Sequence, residues 1–301
     1  MDRRELLRSA AAAALVPGMS LTGQESPIQD APIPSTGERI PRIGLGTWQT
    51  FDVGPDPARR ADLALVLRAY AGAGRAVVDT SPMYGSSESV LGSLLDQERL
   101  HGRLFVATKV WTTGGSQGVA QMEDSARKLA TPRPDLIQIH NLVDWTTHLA
   151  TLRRWKEQGR IRYLGLTHYQ AAAHAQLSDL LRREPVDFVQ INLSLAEPEA
   201  AARLLPIAAE RGVAVLVNRP FGGGAGLERV RGKPLPAWAT EAGIRSWPQF
   251  FLKWVLAHPE VTCAIPGTGN PRHATDNLEA ARGRPLDLSI RARMASTWAA
   301  M

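Results

Sequence analysis

The chain has 301 residues, 44% of them hydrophobic and 21% charged, so it can bury a sizeable core in one large or two small domains. Only five of its 35 basic residues are lysine and the arginines are scattered, so the net charge of +6 does not indicate a nucleic-acid-binding surface. The single cysteine excludes an internal disulfide and a cysteine metal cluster, and no apolar run reaches the roughly 18 residues of a membrane span.

The N-terminal segment has the order of a bacterial export signal. Arg3-Arg4 is followed by Leu6-Leu7 and by an apolar run of small residues over 10–16, and the paired arginines favour the twin-arginine route. We therefore expect a signal segment at residues 1–25, a linker at 26–34 and a single domain over 35–301. The expected location is the periplasm, or the cytoplasm if the signal is not used. An N-terminal helix with a basic end is the alternative.

A short hairpin and eight strands are predicted after the linker. The stretch 33–48 (IPSTGERIPRIGLGTW) predicts a hairpin that turns near Thr36-Gly37 and leads into a strand at 43–46. Seven further apolar runs predict strands, at 76–80 (AVVDT), 104–109 (LFVATK), 136–140 (LIQIH), 162–167 (RYLGLT), 188–193 (FVQINL), 213–218 (VAVLVN) and 261–266 (VTCAIP).

Helical patterns separate these strands. They cover 57–74, 148–160 and 197–213, with stop signals at Gly72 and Gly74, at Gly159 and at Gly212. The stretch 288–301 predicts a short amphipathic helix near the mouth. Continuously apolar strands are typical of a parallel sheet that is covered on both faces. Eight strand–helix units in about 250 residues predict an α/β fold, a closed (β/α)8 TIM barrel with a short N-terminal β-hairpin. The glycine-rich stretch 221–226 lacks the dinucleotide-binding spacing of an open sheet and predicts a flexible loop.

Polar residues recur where the strands end, which in such a barrel is the functional face. Each of them alone has an ordinary structural explanation, such as a turn cap or a solvated lysine, but several titratable types converge on one mouth. They are Asp79, Lys109, His140, Thr167, His168, Gln190, Asn192, Asn218 and Arg219.

Tyr84, on the loop that follows Asp79, completes a group with a specific chemistry. An ammonium at Lys109 should lower the pKa of the phenol so that it acts as an acid, with Asp79 as the counter-charge of the lysine. His140 could orient the same substrate oxygen. A phenolic acid with neither a metal site nor a nucleophile elbow implies reduction of a C=O group by an external hydride donor.

The sequence resembles the aldo-keto reductase family over roughly 33–285. The most specific stretches are 44–48 (GLGTW), 79–92 (DTSPMYGSSESVLG), 108–111 (TKVW), 136–141 (LIQIHN), 165–168 (GLTH), 189–194 (VQINLS) and 265–277 (IPGTGNPRHATDN). The resemblance implies that Asp79, Tyr84, Lys109 and His140 are the catalytic tetrad. It further implies that Tyr84 donates a proton while hydride passes from a reduced nicotinamide to the carbonyl carbon of a small substrate.

The resemblance also implies the cofactor and substrate sites. It places Thr167, His168 and Gln190 near the nicotinamide carboxamide, with Trp48 and Trp111 as walls of a site for aromatic or apolar carbonyl compounds. The other implied cofactor residues are Gly46, Thr47, Asn218, Arg219, Pro220 and Gly222, the last four along the pyrophosphate, and Thr268, Asn270, Arg272 and Asn277 at the adenosine phosphate. A helix N-terminus with an arginine favours NADP(H) over NAD(H).

Two positions depart from the family pattern. His168 stands where an asparagine is common, and Asn218 stands where many members have an aromatic residue that stacks on the nicotinamide. Either Arg219 takes over the stacking or the cofactor is held more weakly. A lysine that is often found near Gly267 is missing, which weakens the preference for NADP(H).

Two other functions stay open at this point. One is a Schiff-base aldolase that uses Lys109 and needs no nicotinamide. The other is a nicotinamide-binding sensor or interaction protein that keeps the barrel, because an exported reductase would meet no NADPH pool. We expect no metal and no nucleic-acid partner, and a monomer or small homo-oligomer.

Overall fold

The main feature of the fold is a parallel sheet of eight strands that closes into a barrel. The structure is a computed structural model and describes residues 26–301. Each strand pairs with the next along the chain, and bridges from Ile43 to Ala264 and from Gly46 to Gly267 join the first strand to the last. The strands are β3 (Leu45–Gly46), β4 (Val77–Asp79), β5 (Phe105–Val110), β6 (Leu136–His140), β7 (Tyr163–His168), β8 (Phe188–Asn192), β9 (Ala214–Asn218) and β10 (Val261–Ala264). The predicted TIM barrel is confirmed.

Two antiparallel strands precede the barrel as the predicted hairpin, β1 (Asp30–Pro32) and β2 (Arg39–Pro41). The turn uses Gly37 at φ 76°, where a residue with a side chain would be strained. Ile33 and Ile40 belong to the same buried cluster as Phe105, Phe188 and other side chains that start the barrel strands. The hairpin therefore closes the base of the barrel, at the N-terminal ends of the strands.

Helices cover the outside of the barrel, and the apolar side chains between the helices and the sheet form the main core. Eleven α-helices occur within residues 26–301. They are α1 (Pro57–Gly72), α2 (Ser87–Gln97), α3 (Gly115–Lys128), α4 (Trp145–Glu157), α5 (His174–Arg183), α6 (Ala200–Arg211), α7 (Ala225–Arg229), α8 (Ala237–Glu241), α9 (Trp247–Leu256), α10 (Pro271–Glu279) and α11 (Leu288–Ala299). None of these helices is long and apolar enough to cross a membrane.

The helix ends follow local sequence chemistry. Asp56 accepts hydrogen bonds from the backbone of Ala58 and Arg59 at the start of α1, and Pro57 occupies the first helical turn. Gly212 ends α6 at φ 63°, the left-handed conformation that glycine adopts without strain. The glycine-rich stretch predicted as a loop instead contains a 3₁₀ turn, Gly222–Gly224, that leads directly into α7.

A network of charged side chains binds the hairpin to the base of the barrel. Glu38 accepts hydrogen bonds from Arg75 (2.7 Å), from Arg162 and from the Tyr163 hydroxyl (2.6 Å), and both arginines also pair with Asp135. Burial opposes ionisation of Glu38, but the hydrogen bonds from Tyr163 and Arg162 and the two arginine charges outweigh it and lower its pKa.

The chain ends at the other face of the barrel. The predicted C-terminal helix is present as α11, and its Trp298 ring packs against Phe251 and under the Arg229 guanidinium at 4.2 Å. Arg229 belongs to α7, which follows the carboxyl end of β9, so the end of α11 lies on the mouth side as expected. The signal segment expected at residues 1–25 lies outside the described residues.

Candidate active site

Four side chains meet at the carboxyl ends of three neighbouring strands. Asp79 ends β4, Lys109 lies near the end of β5 and His140 ends β6, while Tyr84 lies on the loop between β4 and α2. The loop turns because the Tyr84 N–H donates to the Ser81 carbonyl at 3.0 Å. The sequence brings these residues together because consecutive parallel strands end at the same edge of the barrel.

Lys109 and Asp79 form a buried ion pair. The ammonium donates to Asp79 Oδ2 at 2.6 Å and to the Thr80 carbonyl at 2.7 Å, and only 1% of Lys109 is exposed. Burial alone would lower the pKa of Lys109, but the charge and hydrogen bond of Asp79, assisted by Tyr84, outweigh burial and raise the pKa. The ammonium therefore stays protonated at neutral pH, which disfavours an amine nucleophile for Schiff-base chemistry.

Two glutamines that face the barrel interior complete the surroundings of Asp79. Gln138 Nε2 donates to Asp79 Oδ1 at 3.1 Å and to Gln190 Oε1 at 3.0 Å, while Gln190 Nε2 donates to Asp79 Oδ2 at 3.1 Å. A carboxylate can only accept, so both amides must turn their NH₂ groups toward it. Sequence reasoning missed Gln138, although a polar residue inside the apolar run LIQIH was a usable signal.

Tyr84 presents a protonated phenol to the site. Tyr84 is half-buried, and Lys109 Nζ lies 5.0 Å from its ring centre. Burial raises the pKa of Tyr84 more than the Lys109 charge lowers it, with Asp79 adding to the rise. The net direction is opposite to the lowering expected from the sequence, because that expectation left out desolvation.

His140 is held as a neutral ring beside the tyrosine. Its Nδ1 lies 3.0 Å from the Ser81 hydroxyl oxygen, and its ring packs edge-on to Tyr84 with centroids 5.8 Å apart. Burial, assisted by the positive charge of Lys109, lowers the pKa of His140 to about 2. The ring can donate or accept a hydrogen bond at neutral pH, but it carries no charge there.

The four side chains open into a cavity of about 720 Å³ at the mouth of the barrel. Among residues 26–301, six large hydrophobic side chains are exposed, and four of these line the cavity, so the exposed apolar surface is concentrated there. The four are Trp48, Met83, Trp111 and Tyr169. The two tryptophans were predicted for this position, whereas Met83 and Tyr169 were not.

Most of the predicted cofactor residues line the same cavity. These are Gly46, Thr47, Thr167, Gln190, Asn218, Arg219 and Pro220. His168 is outside the lining, where its ring stacks on Tyr169 at 5.6 Å, and Gly222 is also outside it, although Gly223 and Gly224 are included.

The residues predicted for the adenosine phosphate also lie outside the lining, just beyond Gly267, which belongs to it. Asn270 caps α10 by accepting the Arg272 N–H at 2.9 Å, and Thr268 Oγ1 accepts the Asn270 N–H at 3.1 Å. Arg272 is exposed, and Asn277 is buried. The start of α10 thus offers an exposed guanidinium beside a helix N-terminus next to the cavity.

Polar atoms of the cavity fit a dinucleotide. Thr47 Oγ1, Asn218 Oδ1 and Arg219 Nε are buried and have no hydrogen-bond partner within the described part of the chain. The Arg219 guanidinium lies against Gly223, where an added Cβ would approach it to 2.7 Å. Such unsatisfied donors and acceptors, around a glycine turn that admits close approach, suit a ligand with phosphate and amide groups. Across residues 26–301, no three His, Cys, Asp or Glu side chains have metal-binding geometry.

A second buried carboxylate lies behind the site. Glu88, in the first turn of α2, accepts hydrogen bonds from Thr108 Oγ1 at 2.6 Å and from Ser125 Oγ at 3.1 Å. Burial raises the pKa of Glu88 despite these hydrogen bonds. Since Thr108 precedes Lys109, Glu88 links α2, the strand that carries Lys109 and α3.

The chain is similar to known proteins over most of its length. Residues 42–298 match the family model described as "Aldo/keto reductase family". An uncharacterized oxidoreductase of Mycobacterium tuberculosis is 31% identical, with 87% of this chain and 90% of that protein covered. A methylglyoxal reductase of Escherichia coli is 27% identical, with 79% and 84% covered. An aldo/keto reductase of Klebsiella pneumoniae, solved with NADP and acetate, has a TM-score of 0.74 at 24% identity, with 87% and 93% covered, and shares the fold.

Proposed function

The chain belongs to the aldo/keto reductase family, and from this premise we propose that it reduces aldehydes or ketones to alcohols with NADP(H). The observation that carries the proposal is the buried chain of contacts from Asp79 through Lys109 to Tyr84, which opens into the cavity. The names of its relatives, oxidoreductase and methylglyoxal reductase, support the same reaction class.

The roles of the side chains follow from their surroundings. Tyr84 keeps its proton at neutral pH and gives it to the carbonyl oxygen as negative charge develops there. Lys109, held protonated by Asp79, stabilises the phenolate that remains. His140 donates a hydrogen bond to the same oxygen and orients it. A bound reduced nicotinamide supplies the hydride.

Support for NADP(H) comes from residues of this chain and from solved relatives. Arg219 lines the cavity beside its glycine turn, and Arg272 stands exposed at the N-terminus of α10, which suits a ribose phosphate. Solved aldo-keto reductases with the same fold contain NADP or NADPH. NAD(H) is the alternative cofactor, and comparing the two dissociation constants decides between them.

The substrate class follows from the cavity walls. Trp48, Met83, Trp111 and Tyr169 are apolar or aromatic, and the charged side chains at the floor are already paired with each other. We therefore propose that the substrate is an uncharged aromatic or apolar aldehyde or ketone.

The test is NADPH consumption by the purified protein with a panel of aromatic aldehydes. Tyr84→Phe should lower kcat by about 100-fold or more and leave the NADPH dissociation constant nearly unchanged, because only the proton donor is removed. Tyr163→Phe deletes a hydroxyl at the base of the barrel, where it donates to Glu38, and serves as the matched control. Full activity in Tyr84→Phe would remove Tyr84 from this role.

Two other outcomes would redirect the proposal. Tight NADPH binding without turnover of any aldehyde would favour a nicotinamide-binding sensor. Trapping of substrate on Lys109 by borohydride, in the absence of nicotinamide, would favour the aldolase.

We also propose that residues 1–25 direct the folded protein to the periplasm by the twin-arginine route. Residues 1–35 fused to a reporter should then be exported, and changing Arg3-Arg4 to Lys-Lys should retain the reporter inside. Arg8→Lys, a basic residue outside the pair, is the matched control and should leave export unchanged. Equal export of all three fusions would contradict the proposal.

A further inference from the structure

Ser81 contacts His140 but, unlike His140, does not line the cavity. Ser81 is fully buried and His140 is 6% exposed, with 3.0 Å between the hydroxyl oxygen and Nδ1. Ser81 lies on the same loop as Tyr84, so one short segment carries the phenol and touches the imidazole.

The chemistry of the hydroxyl favours one direction for this hydrogen bond. Ser81 Oγ accepts the Met83 N–H at 3.4 Å and has no other partner within the described residues besides His140 Nδ1. A hydroxyl has one proton to donate, and a buried hydroxyl proton without an acceptor is costly. Donation to Nδ1 satisfies the proton, whereas acceptance from an Nδ1–H would leave it without a partner.

We propose that Ser81 is a positioning residue that fixes the neutral His140 ring in the tautomer with its proton on Nε2. His140 lines the cavity, and its Nε2 has no hydrogen-bond partner among the described residues, so this proton is offered to a ligand. A carbonyl oxygen at the site then receives two hydrogen bonds, one from the Tyr84 hydroxyl and one from Nε2. This inference rests on the proposed carbonyl reduction for its catalytic consequence, but the tautomer is a property of the protein alone.

Nitrogen NMR of the ¹⁵N-histidine-labelled protein, without cofactor, reads the tautomer directly. The wild type should show a protonated Nε2 and an unprotonated Nδ1 for His140, with the signals assigned by their loss in His140→Gln. Ser81→Ala should shift both nitrogens toward an average of the two tautomers, because the donor to Nδ1 is gone. A wild-type ring that carries its proton on Nδ1 would overturn the inference without any variant being needed.

Kinetics then connects the tautomer to turnover. Ser81→Ala should lower kcat by about 10-fold, the scale of changes to groups that orient a functional histidine. Ser81→Thr keeps the hydroxyl and should recover most of that loss. Ser87→Ala removes a buried hydroxyl that does not contact His140, and it should change neither the NMR signals nor kcat. An unchanged kcat in Ser81→Ala would contradict the positioning role.

Failure of this inference is distinguishable from failure of the proposed function. If the NMR signals behave as described but no aldehyde consumes NADPH, the tautomer assignment stands and the reductase proposal fails. If NADPH is consumed and His140 carries its proton on Nδ1, the reductase stands and Ser81 has no such role.

Discussion

Asp79 is surrounded by three side chains that can only donate to it. Lys109, Gln138 and Gln190, all of them buried, together occupy both of its oxygens. The carboxylate is therefore the acceptor that a buried ammonium and two amides share. A change that removes its charge should affect stability as well as catalysis.

Asp79→Asn should lower the free energy of unfolding by about 3–5 kcal/mol, because it leaves Lys109 as an uncompensated buried charge. Urea denaturation at pH 7 measures the loss. The double variant with Lys109→Met should recover most of it, since the buried charge is then gone. Asp124→Asn, in an exposed pair with Lys128, should cost less than about 1 kcal/mol. If Asp79→Asn alone had the same free energy of unfolding as the double variant, or a higher one, this explanation would be contradicted.

Among single residues, the four candidate catalytic side chains could be predicted because they lie in distinctive sequence motifs. The side chains that hold them in place could be found only from the structure. Asp79, Lys109 and His140 sit at or near strand ends, where a barrel exposes functional groups, and Tyr84 lies on the loop after Asp79. Gln138 lies within a strand and Ser81 lies on a loop. Polar residues at such positions often have a purely structural role, so the sequence did not mark these two as functional. The direction of the pKa shift of Tyr84 could not be predicted from the sequence either, because it depends on how deeply the side chain is buried.

At the scale of elements, α2 is held close to α3. An added Cβ on Gly92 would lie 2.1 Å from the Lys128 carbonyl oxygen at the end of α3. Glu88 of the same helix reaches Ser125 of α3, so the two helices are joined both by packing and by a buried hydrogen bond. The glycine that closes the motif DTSPMYGSSESVLG is thus required by the approach of the two helices.

Gly92→Ala should therefore destabilise the protein by about 1–3 kcal/mol, because backbone atoms would have to move to admit the methyl group. Thermal unfolding followed by circular dichroism measures the effect. Gly72→Ala is the matched control, since this helical glycine has an ordinary φ and no atom within 4 Å of an added Cβ. It should be neutral or slightly stabilising, and an equal loss in both variants would contradict the packing argument.

Secondary-structure elements were predictable from the sequence where the pattern of buried residues is regular. All eight barrel strands were predicted within a few residues, because a strand covered on both faces is a short continuous apolar run. The segment after β9 was not, because glycines at 222–224 resemble a loop in sequence, although they form a 3₁₀ turn and α7 follows at once. Its short helices are defined by packing, such as Arg229 on Trp298, between residues far apart in the chain.

At the scale of the whole molecule, the hairpin closes one end of the barrel through Glu38. Glu38→Gln should lower the free energy of unfolding at pH 7 by about 1–3 kcal/mol, because hydrogen bonds to two guanidinium groups weaken. Urea denaturation across pH measures the difference. Glu228→Gln, in an exposed pair with Arg231, is the control and should change stability by less than about 0.5 kcal/mol.

The pH dependence of this difference has a definite sign. The folded pKa of Glu38 lies below its ordinary value of 4.5, so the unfolded chain binds more protons in that window. The stabilisation is complete above pH 4.5 and is lost as pH falls through the lowered folded value. Wild type and Glu38→Gln should therefore converge in stability in acid, and a gap that widens there would contradict the network.

The two ends of the described chain leave the barrel at opposite faces. The Ser26 carbonyl accepts a hydrogen bond from Arg282 at 2.7 Å, and Ile28 bridges to Arg282, just beyond the base-side end of α10. Met301 lies instead with Trp298, beside the α7 segment of the mouth. A protein coupled to a bead or electrode through residue 26 would consequently present the cavity mouth to the bulk liquid. Coupling through Met301 would place the cavity mouth next to the support.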